Sequence, residues 1–89
     1  MFILTEDAKL EIQNRLESSH SAKLIRLQMR KSCFMKVKLT LEGTMEVNDS
    51  EIIKGDLHFI IDKGECHYFR DKKLDFIPDK TGFKQFEVI

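Results

Sequence analysis

Cys33 is the residue of this sequence whose side chain is the strongest candidate for a chemical role. It stands at the head of a predicted strand in MRKSCFMKVKLTLEG, residues 29–43. The nearby cations of Arg30 and Lys31 favour the thiolate form of an exposed cysteine. A thiolate in such a loop can bind a metal ion, form a mixed disulfide or react with an oxidant. The alternative is that Cys33 is a small buried side chain, as many free cysteines are.

Cys66 and the histidines are the other side chains that could complete a metal site with Cys33. Cys66 and His67 are adjacent, so on a helix or a strand they point in different directions. Alternation along LHFIID directs His58 toward solvent. Zinc sites have closely spaced pairs of ligands, and this sequence has none. Two alternatives stay open: a site drawing on both cysteines and one histidine, or a free Cys66 in the core.

The sequence contains no signature of a common catalytic site. It has no glycine-rich phosphate loop, no HExxH motif and no serine nucleophile elbow. No spacing places a histidine as the base for either cysteine. The carboxylates are scattered singly among lysines, as on solvated faces. We therefore predict that the protein is not an enzyme.

Charge is balanced over the chain, with 15 basic and 15 acidic side chains, but it is unevenly distributed. Residues 22–41 carry basic side chains and no acidic one, whereas residues 42–65 are mostly acidic. Neighbouring strands with complementary outer faces would explain this pattern. The alternative is an exposed basic face that binds an acidic protein or a nucleic acid, and the zero net charge disfavours nucleic acid. The residues of this basic face are Arg26, Arg30, Lys36 and Lys38.

Length and composition predict a single domain over residues 1–89. A chain of 89 residues has room for one hydrophobic core, and its apolar share of 42% can build it. The apolar runs are too short to span a bilayer, and MFILTED does not resemble a signal peptide. Two cysteines do not make a disulfide framework. We therefore expect no membrane contact and a reducing, cytoplasmic setting.

The pattern of apolar residues predicts one helix followed mainly by strands. Thr5 is the predicted N-cap, and Ala8, Ile12 and Leu16 form the apolar face of a helix that ends near Ser18. Alternation predicts two strands, at 25–30 and 35–41, with Cys33 in or just after the turn between them. This order indicates an α+β fold with a largely antiparallel or mixed sheet. The remaining predicted elements are short strands at 2–4, 52–53, 57–62, 74–78 and 83–89, a turn at 54–56 and a short helix within 63–71.

Several short motifs resemble the HesB-like domain of the A-type iron–sulfur cluster assembly proteins. FILTEDA is similar to the family's first strand and helix start, and LIRLQMRKSC to its second strand and first cysteine. Asp62, Tyr68 and the triplet Leu74-Asp75-Phe76 match a later segment, and TGFKQF is similar to a Gly-Phe stretch. The resemblance implies small mixed or antiparallel sheets, one N-terminal amphipathic helix and one short helix.

The resemblance also implies that Cys33 is a ligand for iron or an iron–sulfur cluster. Cluster-binding members of the family use three cysteines, and the expected C-terminal Cys-Gly-Cys has no counterpart before Ile89. One thiolate per chain is fewer than a cluster requires.

Two hypotheses follow from the resemblance and from this departure. In the first, the protein is a cluster- or iron-handling accessory that uses Cys33 and shares its cargo across a homodimer or with assembly proteins or apo-protein recipients. In the second, it is a cluster-free protein-interaction module that uses the basic strand face.

Overall fold

The computed structural model describes residues 1–19, 23–30, 36–78 and 80–89. Within these ranges, the chain forms seven strands and two helices. In chain order they are β1 (Ile3–Leu4), α1 (Glu6–Glu17), β2 (Leu24–Met29), β3 (Lys36–Glu42), β4 (Asp49–Lys54), β5 (Leu57–Asp62), α2 (Cys66–Phe69), β6 (Lys73–Pro78) and β7 (Lys84–Val88).

The strands hydrogen-bond into one mixed sheet with the order β1-β6-β7-β3-β2-β5-β4. The β1–β6 and β2–β5 pairs are parallel, and the other four are antiparallel. The predicted α+β class, the mixed sheet and the two helices are confirmed. The small sheets expected from the sequence are instead parts of one continuous sheet. The pairing of Val37 in β3 with Phe86 in β7 joins strands β1, β6 and β7 to the rest of the sheet. It is a contact between distant segments that no local pattern reveals.

Helix α1 begins where its N-cap satisfies a free backbone donor. The Thr5 hydroxyl oxygen accepts a hydrogen bond from the Ala8 N–H at 3.3 Å, and the hydroxyl donates to Asp75 in β6 at 2.7 Å. Thr5 therefore starts the helix and ties it to the sheet. The predicted helix from Thr5 to about Ser18 is confirmed, since α1 runs from Glu6 to Glu17.

The core lies between α1 and one face of the sheet. Alternate residues of the strands point to this face, as the period of two in the sequence predicted. Phe2 closes the core near β5, where its ring lies 5.2 Å from the ring of Phe59 in an edge-to-face arrangement. Neither helix is long and apolar enough to cross a membrane within the part of the chain that is described. The core side chains are Phe2, Ala8, Ile12, Ile25, Leu27, Val37, Leu57, Phe59, Ile61, Phe69, Leu74, Phe86 and Val88.

The turn predicted at 54–56 joins β4 to β5. Gly55 has a φ of +60°, a conformation that side chains with a Cβ rarely adopt. Strand β4 is longer than the predicted 52–53, because Asp49 to Glu51 also pair with β5 despite their polar side chains. Pairing with a buried neighbouring strand thus outweighs the low strand propensity of Asp49 and Glu51.

Candidate functional site

Cys33, the predicted ligand, belongs to segment 31–35, which lies outside the described residues. The two residues that flank the segment are paired with each other. The Arg30 N–H donates to the Lys36 carbonyl oxygen at 2.9 Å, one step beyond the Met29–Val37 pair of the β2–β3 hairpin. By its number Cys33 falls between the end of β2 and the start of β3, and its predicted place in or just after the turn stays a prediction.

The carboxylate of Glu65 lies at the base of this connection. It accepts a hydrogen bond from the Met29 N–H at 2.8 Å, across 36 residues of sequence. Glu65 ends the turn that follows β5, where its own N–H donates to the Asp62 carbonyl oxygen at 2.8 Å. Nothing in the sequence marks Glu65, because a bond between a side chain and a distant backbone group leaves no spacing pattern.

Cys66 follows Glu65 but turns toward the core. Its side chain is half-buried against the hydrophobic core, and its Sγ lies 3.9 Å from the Ile61 carbonyl oxygen. The ring of His67 stacks on Tyr68 at 4.0 Å between centroids, and both residues are exposed. The packing of Cys66 matches the alternative in which it is a free cysteine of the core.

His58 points away from the core, as its alternation in β5 predicted. Its Nδ1 lies 3.1 Å from Oε2 of Glu51 on the neighbouring strand β4. Across residues 1–19, 23–30, 36–78 and 80–89, no three His, Cys, Asp or Glu side chains form a group that could hold a metal ion. Cys66 and the described histidines therefore make no such site with each other.

Arg26 corrects the predicted basic face. The residue is only 7% exposed, and its guanidinium makes two bonds to Asp49, Nη1 to Oδ1 at 2.7 Å and Nη2 to Oδ2 at 2.6 Å. Its Nε donates to Glu42 at 2.8 Å. The prediction that Arg26 belongs to an exposed face is wrong, because a buried cation requires anionic partners and the sheet supplies them from β3 and β4. Of the other three residues, Arg30 and Lys38 are exposed and Lys36 is half-buried.

The Arg26 network closes the loop between β3 and β4. The Asp49 carboxylate also accepts the Glu46 N–H at 2.8 Å, which fixes the loop over the ion pair. The Arg26 guanidinium holds the pKa of Asp49 below its ordinary value of 3.8, although burial acts in the opposite direction. The same hydrogen bonds raise the pKa of Arg26. The basic and acidic segments of the sequence thus meet within the sheet, as the interpretation of complementary strands predicted.

We expect acid to weaken the fold partly through Asp49. Because the pKa of Asp49 is lower in the folded state than in the unfolded chain, its stabilisation is complete above pH 3.8 and is lost as the pH falls through the folded pKa. Urea titrations from neutral to acid pH should show a smaller loss of stability in Asp49→Asn than in the wild type. Asp56→Asn, at an exposed turn position, is the matched control and should keep the wild-type pH dependence. An Asp49→Asn curve parallel to the wild type would contradict this expectation.

Three of the residues that carried the family resemblance stabilise the fold. Asp75 links β6 to Thr5 at the start of α1. The Asp62 carboxylate accepts the Gly64 N–H at 2.8 Å and the side-chain amide of Asn48 at 3.1 Å, so it fixes the turn that carries Glu65. Leu74 is fully buried. These motifs therefore indicate the scaffold around the connection between β2 and β3.

A half-open groove of about 590 Å³ lies between the two edge strands of the sheet. Ile3 and Leu4 of β1 line one side, and Ile53 and Lys54 of β4 line the other. The Lys54 ammonium lies 4.9 Å from the ring centroid of Phe2, so the sheet curls until its two edges approach each other.

The arrangement of these strands and helices is shared with solved structures of known proteins. Solved structures with this fold cover nearly the whole chain. They include a protein from Aquifex aeolicus solved by NMR in solution, with a TM-score of 0.76 and 22% identity over 99% of this chain and 89% of that chain. Escherichia coli SufA, involved in the biosynthesis of iron–sulfur clusters, has a TM-score of 0.76 at 12% identity over 99% of this chain and 83% of SufA.

IscA with its [2Fe–2S] cluster has a TM-score of 0.69 at 21% identity, over 100% of this chain and 84% of IscA. No family model and no curated protein matches the sequence. At these identities the likeness shows the fold, and it supports the fold implied by the resemblance of the sequence motifs.

Proposed function

We propose that this protein is a non-enzymatic accessory of iron–sulfur cluster biogenesis that carries iron or a cluster through Cys33. The observation that carries the proposal is the likeness of fold, over nearly the full chain, to SufA and to IscA with its [2Fe–2S] cluster. The place of Cys33 between β2 and β3 supports it, because the same connection bears the first cysteine of the family it resembles. Iron is a suitable cargo for a thiolate ligand.

The donor set determines how such a cargo would be held. Cys33 supplies one thiolate per chain, and two copies of the chain would supply two. A cluster commonly takes four protein ligands, so the remaining ligands must come from elsewhere. We propose that Cys33 shares its cargo with a second copy together with an assembly protein or an apo-protein recipient.

Anaerobic reconstitution of the full chain with ferrous iron, sulfide and a small thiol tests the role of Cys33. With the small thiol supplying the remaining ligands, we expect the wild type to develop the visible absorption of thiolate-to-iron charge transfer. It should retain iron and sulfide in equal amounts after desalting into buffer that contains the same thiol. Cys33→Ser should lose both signals because the ligating sulfur is gone. Cys66→Ala is the matched control and should keep them, since the Cys66 thiol packs against the core.

Two results would contradict the proposed function. One is a wild-type protein that retains no iron under these conditions. The other is a Cys33→Ser protein that retains as much iron as the wild type. Circular dichroism of each variant before reconstitution separates loss of a ligand from loss of the fold.

The cluster-free interaction module has less support. Its basic face was predicted from four cations, and Arg26 is buried in an ion pair with Asp49. The remaining Arg30, Lys36 and Lys38 lie near the end of the β2–β3 hairpin. We therefore propose no second function for this face.

A further inference from the structure

Strands β1 and β4 are the two edges of the sheet, and both line the groove of about 590 Å³. Among the described strands, β1 pairs with β6 alone and β4 with β5 alone. The Lys54 ammonium reaches from β4 to the ring of Phe2, the residue before β1, at 4.9 Å from the ring centroid. The curled sheet is therefore open along one seam, with a strand edge on each side of it.

On the β1 side of the groove, the backbone groups of Leu4 point to the open edge. The Ile3 N–H donates to the Lys72 carbonyl oxygen at 2.8 Å. The Thr5 N–H donates to the Leu74 carbonyl oxygen at 3.1 Å. Because successive backbone groups of a strand point to opposite sides, those of Leu4 point away from β6. Within the described part of the chain they meet no strand on that side, and Leu4 lines the groove.

On the β4 side, the backbone groups of Ile53 have the matching orientation. Lys54 and Leu57 are the pair that flanks the two-residue turn, and hydrogen-bonded pairs alternate along an antiparallel ladder from there. The backbone groups of Ile52 therefore bond to β5, and those of Ile53 point to the open edge. Asp49 has the same parity as Ile53 and supports this orientation, because its N–H donates to a carbonyl oxygen of the preceding loop at 3.1 Å.

The side chains around the groove differ between its two faces. Ile3 and Ile53 lie on the face away from α1, where they are 60% and 59% exposed. Glu6 and Lys9 of α1 line the other face together with Lys54, and the described ion pairs include none of these three. Because side chains alternate along a strand, a strand in the groove would place every second residue beside the isoleucines and the others beside the charged groups. Its sequence would therefore alternate between apolar and polar residues.

We propose that the groove binds an extended, amphipathic segment of a partner protein, which pairs with β1 and β4 at once and closes the sheet. Strand addition at a sheet edge is a general mode of peptide recognition. An occupant that bonds to both edges must have both of its own edges free. Every described strand of this chain already pairs with a neighbour, so a strand from a second copy could satisfy only one edge. This inference goes beyond the proposed function and does not depend on a cargo.

The test uses the full chain, isotope-labelled and without iron, and a blocked peptide of seven residues in which valine alternates with threonine, glutamate and lysine. A second peptide has the same side chains but is methylated at alternate amide nitrogens, so it cannot complete the hydrogen bonds of a strand. Ile53→Pro removes the outward N–H and leaves the bonds between β4 and β5 in place. Ile53→Ala is the matched control because it retains that N–H. Chemical shifts and hydrogen exchange are measured at the backbone amides.

We expect the first peptide at saturation to slow exchange at both Leu4 and Ile53 by about tenfold or more, since each N–H gains an acceptor. The amides of Ile3 and Ile52, which already bond within the sheet, should change less. The methylated peptide should not bind. Ile53→Pro should weaken binding of the first peptide by about tenfold, and Ile53→Ala should bind it within about threefold of the wild type.

The inference is wrong if the methylated peptide binds as tightly as the first, because side chains alone would then explain binding. It is also wrong if exchange slows at only one of the two edges, or at neither in millimolar peptide. A folded Ile53→Pro protein that binds within about twofold of Ile53→Ala contradicts it as well. If circular dichroism shows that Ile53→Pro is unfolded, the two peptides decide the outcome.

Two further results separate this inference from its alternatives. A dimer that forms without peptide and slows exchange at Leu4 and Ile53 would assign the edges to a second copy and overturn the inference. A wild type that binds no iron on reconstitution would overturn the proposed function alone, because the peptide measurements need no cargo.

Discussion

Arg26→Met is expected to lower the free energy of unfolding by about 3–5 kcal/mol, because it leaves the buried carboxylate of Asp49 without its cation. The Asp49 side chain is 2% exposed, so water cannot replace the two lost hydrogen bonds. A domain of this kind is stable by only about 5–15 kcal/mol, so the loss would be a large share of the total. Urea unfolding followed by circular dichroism measures it as a fall in the transition midpoint.

Two further variants decide whether burial and pairing cause the effect of Arg26→Met. Arg30→Met makes the same chemical change at an exposed position just after β2, and we expect it to alter stability by less than about 0.5 kcal/mol. Arg26→Met with Asp49→Leu removes both charges and should recover much of the loss, because a buried pair can be replaced by apolar residues at little cost. Equal effects of Arg26→Met and Arg30→Met would show that the network contributes no stability.

Phe59→Ala is expected to cost about 3–5 kcal/mol through the cavity it leaves in the core. Phe59 is fully buried in β5, where its strand neighbours are Ile25 in β2 and Ile52 in β4. Its ring also makes the edge-to-face contact with Phe2, and such pairs add to the effect of burial. The measurement is again the urea midpoint, with thermal unfolding as a second probe.

Phe83→Ala is the control for the core substitution. Phe83 is 76% exposed, so truncating its ring opens no cavity, and we expect a change below about 0.5 kcal/mol. A Phe59→Ala protein as stable as Phe83→Ala would contradict the placement of Phe59 at the centre of the core. The free energies of unfolding of Phe59→Ala and Phe83→Ala also show how much stability the protein can lose before a failed reconstitution reflects unfolding.

The buried ion pair between Arg26 and Asp49 also fixes strand β2, which precedes the connection that bears Cys33. Arg26 lies in β2, three residues before Met29, and its ion pair joins β2 to the start of β4. Glu65 joins the end of β2 to the turn after β5. Strand β2 is thus fixed by charged side chains at its middle and at its end, just before the connection that bears Cys33.

The sequence by itself determined the local elements, because each depends on side chains close together in the chain. Thr5 and the spacing of Ala8 and Ile12 specified α1, and alternation specified β2 and β3. Alternation also placed His58 on the outer side of β5, and Gly55 marked the turn before it. The short motifs that resemble the HesB-like domain indicated the fold, which the structural comparisons support.

Only the tertiary structure decided the partners of particular side chains. Arg26 has the alternation of a solvent-facing residue, yet the neighbouring strands bring Asp49 and Glu42 to it and bury the group. Glu65 resembles any surface carboxylate until the parallel pairing of β5 with β2 leaves Met29 in need of an acceptor. Local periodicity reports which side of a strand a residue occupies. What that side meets depends on contacts between distant segments, which the folded sheet alone creates.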